Sequence, residues 1–196
     1  MTGKDIIKIT LNLVVIYIVG GIILTAMYAW TSPIMYRNAV IEKEQALKEL
    51  MPEADTIEKL GDWTIHDKHA EYFVCKRGGA VIGYIIQSFG KGYSSYIDTL
   101  IAVDKNFTVQ SINILDHAET PGLGDEIEMD SFKNQFKGKD IGHLKVVKTE
   151  TADYIEALSG ATISSRAVTE DAVKNGVGFL MKRIQEGEDG ESAQHE

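Results

Sequence analysis

The chain has 196 residues, 44% hydrophobic and 25% charged, with a formal net charge of -9. That length is enough to bury the core of one domain with appendages, and the acidic balance excludes a nucleic-acid-binding surface, which needs clustered Lys and Arg. A single cysteine, Cys75, excludes an internal disulfide and the cysteine clusters of iron–sulfur and zinc centres.

Residues 9–30 carry no charged side chain. As a helix rising ~1.5 Å per residue they can cross the ~30 Å hydrocarbon core of a bilayer, and Tyr28 and Trp30 stand where interfacial aromatics are favoured. The run is longer than the apolar region of a signal peptide and ends in Tyr-Ala-Trp rather than in a small-residue cleavage site. The expectation is therefore an uncleaved transmembrane anchor over residues 1–31, in contact with membrane lipid. Lys4 and Lys8 precede the run, and Arg37, Lys43 and Lys48 follow it, so charge counting does not orient it. A short head and a large following domain, which translocates largely regardless of charge, are compatible with the head in the cytoplasm, and the expectation is a soluble domain on the outer (periplasmic or extracellular) face of the cell membrane.

Ser32-Pro33 reads as an N-cap and N1 pair that starts a new helix or kinks the first. A helical stalk over 32–55 follows, with Leu47, Leu50 and Met51 on one apolar face and Pro52 where the helix stops. Strands are expected at 72–76, 80–87, 97–103 and 109–115. Gly78-Gly79 separates the first pair and Asp104-Lys105-Asn106 the last, which are hairpin signals. Between the middle strands lies Gly90-Lys91-Gly92-Tyr93-Ser94-Ser95, either a plain flexible turn or a loop that approaches a ligand closely. A short helix is expected at 131–136, with Asp130 as its cap and Phe132/Phe136 as an i,i+4 apolar pair. A short strand at 144–147 and a last helix over 164–184, buried through Val173, Val177, Leu180 and Ile184, complete the domain. The fold class is α+β: an antiparallel sheet with packed helices, preceded by one transmembrane helix and a helical stalk. The domain spans 56–185, and the acidic stretch 186–196 is expected to be a disordered tail.

Ser159-Gly160-Ala161-Thr162 is a small-residue turn ending in a hydroxyl, directly before an amphipathic helix. An ordinary N-cap explains such a turn. An anion site is the alternative: Gly160 and Ala161 leave room, the helix start offers amides and partial positive charge, and Arg166 stands one turn further on. In mid-chain, Pro121 fixes φ while Gly122 and Gly124 permit close backbone approach, and Glu119 suits a carboxylate that fixes the loop by accepting amide bonds. Cys75 reads as a buried structural thiol. His66 and His69 lack a third ligand, so no metal is expected. His117 suits loop orientation by hydrogen bonding. Ser164 and Ser165 have no evident His–acid partners, and no P-loop or Rossmann fingerprint is present.

Ser159-Gly160-Ala161-Thr162 resembles the covalent flavinylation motif of FMN-binding domains, as found in the G subunit of the Rnf electron-transport complex and the C subunit of sodium-translocating NADH:quinone oxidoreductase. The amino-terminal membrane helix, the Gly92-Tyr93-Ser94 loop, His117 with Glu119-Thr120-Pro121-Gly122-Leu123-Gly124, and the Phe132/Phe136 segment are similar to the Rnf G subunit in order and spacing, over almost the whole chain except the acidic tail. The resemblance implies FMN carried on Thr162 through a phosphoester bond, placed there by a flavin transferase using FAD, with Glu119 to Gly124 beside the flavin. It implies an electron-relay subunit rather than a stand-alone catalyst, with no catalytic acid, base or nucleophile. Its complex would couple ferredoxin/NAD electron transfer to ion translocation, and the NAD and ferredoxin sites would lie on other membrane and redox subunits. The aspartate usual three residues before the serine is Glu156 here. Two alternatives remain open: the C-type protein of the quinone oxidoreductase, for which the chain looks short, and an anchored non-redox sensor that binds a small anion at the Thr162 turn.

Overall fold

The structure is a computed structural model that describes residues 3–192, with side chains as far as residue 186. Two compact units divide the chain, Met1–Lys43 and Glu44–Glu196. Helix α1 occupies Gly3–Leu50 without a break. Its most apolar window is long enough to cross a membrane and is wholly unburied, with Ile16, Leu24, Tyr28 and Trp30 all exposed. Pro33 lies inside the helix rather than opening a second one. Proline removes one intrahelical bond and disturbs the preceding turn, but the good helix formers on either side carry the helical backbone through it.

In the second unit, the end of α1 meets a five-stranded antiparallel sheet in the order β1-β2-β3-β4-β5. The strands are β1 Thr56–Ile65, β2 Lys68–Arg77, β3 Ala80–Lys91, β4 Tyr96–Asp104 and β5 Val109–Asp116. Side-chain alternation divides the core in two. Ile85 opposite Ala102, with Leu100, Phe73 and Cys75, packs against Ala46, Leu47, Leu50 and Met51. Ile86 opposite Ile101, with Ile97, Val103 and Ile112, faces the helices that follow the sheet. Being covered on both faces, β4 is buried along nearly its whole length, which is why 97–103 reads as an apolar run. Burial also pushes the Cys75 thiol up to about 11, so it is an inert core group.

β1 was not among the expected strands. The turn that joins it to β2 contains no glycine: His66 and Asp67 both take positive φ, 51° and 59°, as a type I′ hairpin requires. A bulge at Lys59/Gly61 also breaks its alternation. Gly78 and Gly79, with φ 56° and 83°, form the expected hairpin between β2 and β3.

Beyond the sheet come a 3-10 turn Gly124–Glu128, helix α2 Asp130–Lys133, a second 3-10 turn Asn134–Phe136, and a parallel pair of short strands, β6 Val146–Val147 and β7 Ile155–Glu156. Phe132 and Phe136 make the expected pair, edge to face with centroids 5.4 Å apart. Met129, not Asp130, occupies the cap position, and Asp130 pairs with Lys133 at 3.1 Å. The last helical run has three parts, α3 Thr162–Arg166, a π-helical segment Ala167–Val173, and α4 Lys174–Ser192. Val173, Val177 and Leu180 are buried, as their spacing requires, while Ile184 is only half-buried. The helical backbone continues to Ser192 through part of the stretch expected as a disordered tail; once a helix is nucleated, each further residue fixed gains a backbone hydrogen bond. Residues 193–196 lie outside the described residues.

Asp171, in the π-helical segment, ties three elements together. It accepts from the His66 ring at 2.8 and 2.9 Å, from the Lys91 amide at 2.8 Å, and from Asn175 at 3.1 Å. Asp171→Ala is expected to lower stability by about 1–2 kcal/mol and to speed amide exchange at Lys91, whereas His66→Ala removes one half-exposed contact and lowers it by less than about 1 kcal/mol. Urea midpoints and hydrogen exchange of the two variants check this ranking.

Candidate cofactor site

Three loops converge on one cleft of roughly 470 Å³, lined by Tyr93, Glu119, Thr120, Leu123, Gly124, Gly160, Ala161, Thr162, Ile163 and Ser164. That volume falls within the usual range of cofactor and ligand pockets. The loops are the 92–95 connection between β3 and β4, the segment after β5, and the start of α3.

Glu119 holds the three loops together. Its buried carboxylate accepts from the amides of Tyr93 (3.1 Å), Ser94 (3.0 Å) and Ser95 (3.1 Å), and from the Ser164 hydroxyl (2.5 Å). Burial alone would raise its pKa, but the Ser164 bond and the three amide bonds together outweigh it and hold the carboxyl below the usual glutamate value. Glycines give this side chain its room: a Cβ on Gly92 would stand 2.5 Å from Glu119 Oε1, and one on Gly124 would stand 2.8 Å from Glu119 Cβ.

The mid-chain loop is a closed turn. Thr120 O accepts from the amides of Leu123 (3.2 Å) and Gly124 (3.0 Å). Pro121 and Gly122 occupy the central positions, with Gly122 at φ 73°, the pattern of a type II turn. His117 supports it from behind: Nδ1 accepts from the Glu119 amide at 3.1 Å, which leaves the ring proton on Nε2, 2.9 Å from Glu128.

The turn before α3 is built in the same way. Ala161 N donates to Leu158 O at 3.1 Å around Gly160, whose φ is 78°. Here positive φ favours glycine, and a Cβ would also come within 2.9 Å of Leu123 Cδ2 across the cleft. Ser165 locks this turn to α3 by donating to Ala161 O and accepting from the Leu158 amide, both at 3.0 Å. Ala161 is the N-cap and Thr162 the first helical residue. Thr162 therefore does not cap the helix, and among the described residues no hydrogen bond engages its hydroxyl. The side chain is half-exposed in the cleft wall.

Of the residues expected at the site, Tyr93, Glu119, Thr120, Leu123, Gly124, Gly160, Ala161 and Thr162 line the cleft together. Ser94 contributes its amide to Glu119, while Pro121, Gly122 and Ser159 shape the two turns without lining the cleft. Arg166 lies in a neighbouring depression with Lys91, Ile163, Ala167, Glu170 and Asp171. Glu156 is also outside the cleft, its backbone held by Gln135 at 2.7 Å through N–H. Sequence reasoning missed Ile163 and Ser164. Ser164 had a readable signal, a small hydroxyl two residues after Thr162, but its partner Glu119 is distant in sequence.

The FMN-binding domain family model matches residues 92–178, the segment that contains all three loops. The G subunit of a proton-translocating ferredoxin:NAD(+) oxidoreductase complex from Clostridium ljungdahlii is 35% identical over 168 residues, covering 85% of this chain and 88% of the relative. The chain belongs to the family of Rnf G subunits. Within that family, the G subunit of an ion-translocating oxidoreductase complex from Methanosarcina acetivorans is 29% identical, covering 91% of this chain and 96% of the relative. The C subunit of a sodium-translocating NADH-quinone reductase from Yersinia pestis is 34% identical but covers only 59% and 49% of the two chains, so the relationship to Rnf proteins accounts for more of this sequence. The crystal structure of Shewanella oneidensis NqrC, at TM-score 0.50 and 24% identity over 64% of this chain and 66% of that one, shares the fold. Family membership and the long apolar α1 agree in making this a membrane protein.

Proposed function

We propose that this chain is a membrane-anchored electron relay of an Rnf-type complex, carrying FMN covalently on Thr162. The observation that carries the reading is the position of the Thr162 hydroxyl: half-exposed in the cleft wall, uncommitted to any cap, and flanked by Gly160 and Ala161. The residues present suit the cofactor. Tyr93, Leu123 and Ile163 supply apolar walls for a planar ring, and the amides at the start of α3 suit a phosphodiester that keeps about one negative charge. FMN, when bound, supplies reversible redox chemistry. The protein's part would be to bind and orient it: Glu119 fixes the loops that form the cleft, and the Thr162 oxygen would take the FMN phosphoryl group as a flavin transferase breaks the pyrophosphate bond of FAD, with AMP leaving and the hydroxyl proton released.

In this reading α1 anchors the domain in lipid with the soluble unit on the outer face, and the other Rnf subunits are the electron donors and acceptors. The covalent bond prevents loss of the cofactor where it cannot be replaced. A colourless anion-binding sensor would share the cleft but not the chromophore. Co-expressed with the flavin transferase, wild type is expected to give in-gel flavin fluorescence and the added mass of FMN, and Thr162→Ala neither. Equal labelling of both would reject the attachment point, and an unlabelled wild type would reject covalent flavin altogether.

A further inference from the structure

Glu119 is a buried anion without a cation. Its four hydrogen bonds come from neutral groups, the amides of Tyr93, Ser94 and Ser95 and the Ser164 hydroxyl. Among the described residues no Lys, Arg or His forms an ion pair with it; the nearby His117 turns Nε2 toward Glu128 instead, 2.9 Å away. Arg166 and Lys91 line the neighbouring depression rather than the cleft. Four donors occupy the roughly four acceptor sites of a carboxylate, so Glu119 has little capacity left to bond a ligand or to pass it a proton. What remains is its charge, at the wall of the cleft with only 5% of the residue exposed.

We propose that Glu119, as a fixed and unpaired negative charge in the cleft wall, holds the reduction potential of the bound flavin to the negative side. The proposal rests on the reading that the cleft holds FMN, but not on the covalent bond to Thr162. Reduction adds electron density to the flavin ring, and a nearby negative charge in a poorly screened site opposes it. Such a charge lowers the equilibrium ratio of reduced to oxidised cofactor at any given potential. The hydrogen bonds stabilise the carboxylate in its ionised form without cancelling its net charge, so the field persists at neutral pH.

The test is a spectroelectrochemical titration at pH 7 of the full-length, flavin-loaded protein in detergent. Glu119→Gln keeps the size of the side chain and one acceptor oxygen while removing the charge. It is expected to shift the potential upward by at least a tenfold change in the reduction equilibrium, about 30 mV for a two-electron couple. Ser164→Ala keeps the charge and removes one donor dipole, so its potential is expected to move to more negative values. A Glu119→Gln protein that retains flavin at an unchanged or lower potential overturns the proposal. Should Glu119→Gln fail to fold or bind, Ser164→Ala decides: a fall supports the proposal, and an unchanged or raised potential overturns it. The reading of Thr162 fails separately. If flavin is bound but is released by SDS, the attachment is refuted while the shift in potential remains measurable.

Discussion

Gly90→Ala is expected to destabilise the domain by about 3 kcal/mol or more and to disorder the cleft with it. Gly90 lies near the end of β3, opposite Ile97 of β4, where the last helical run crosses the sheet. A Cβ there would stand 1.9 Å from the carbonyl oxygen of Ala167 and 2.5 Å from its carbonyl carbon. Neither atom belongs to a flexible side chain. Relief requires moving the helix backbone or the strand, and overpacking that forces backbone shifts costs about 1–3 kcal/mol even where side chains share the strain. Gly90 is also two residues from the loop bonded to Glu119, and Ala167 directly follows α3, which begins at Thr162. Displacing this crossing therefore moves two of the three walls of the cleft. Gly176→Ala is the comparison, since its nearest contacts are side-chain atoms at 3.3–3.4 Å and alanine is the better helix former by up to ~1 kcal/mol. Urea midpoints should place Gly176→Ala within about 1 kcal/mol of wild type and Gly90→Ala far below it.

This crossing also marks where sequence reading stops. The strands around Gly78-Gly79 and Asp104-Lys105-Asn106 were legible because glycine pairs and Asx turns announce themselves locally. The Phe132/Phe136 pair and the buried face of α4 were legible because helical spacing does the same. β1 was hidden, because His66 and Asp67 make a type I′ turn without glycine and the bulge at Gly61 breaks the alternation. The π-helical segment was read as ordinary helix, since its residues follow a helical pattern and only the tertiary contact reveals the wider turn. At the cleft, the turn residues of 119–124 and 159–162 are informative because positive φ at Gly122 and Gly160 is a local demand. What joins those turns is not local. Ser164 meets Glu119 across 45 residues of sequence, and the amides of 93–95 carry no side-chain signature. Arg166, one turn beyond Thr162, lines a neighbouring depression that shares Ile163 with the cleft.

Glu119→Ala is expected to be the other severe substitution, lowering stability by about 3 kcal/mol or more. It leaves three amides and one hydroxyl without their acceptor, and each polar group left buried without a partner costs ~1–3 kcal/mol. Water can re-enter from the open cleft and recover part of this, which is why the total falls well short of the sum. The same carboxylate makes stability pH-dependent. The folded protein holds it below the usual glutamate range, so in acid the unfolded chain binds its proton first, and stability falls as pH falls. The Glu119 contribution is therefore fully present above the ordinary glutamate value of ~4.3 and is lost as pH drops through the lower folded value. Asp140, lowered mainly by its bond from His143, titrates in the same direction, so the acid slope of wild type alone does not isolate Glu119. Denaturation curves of wild type and Glu119→Gln between pH 7 and pH 3 do. The gap between the two proteins should be constant near neutrality and should narrow below about pH 4, because protonation of Glu119 in wild type reproduces the neutral side chain that the variant already has. A gap that stays constant through the acid range would mean that the four bonds to Glu119 do not depend on its charge, and the account of the loops as held by a buried anion would fail.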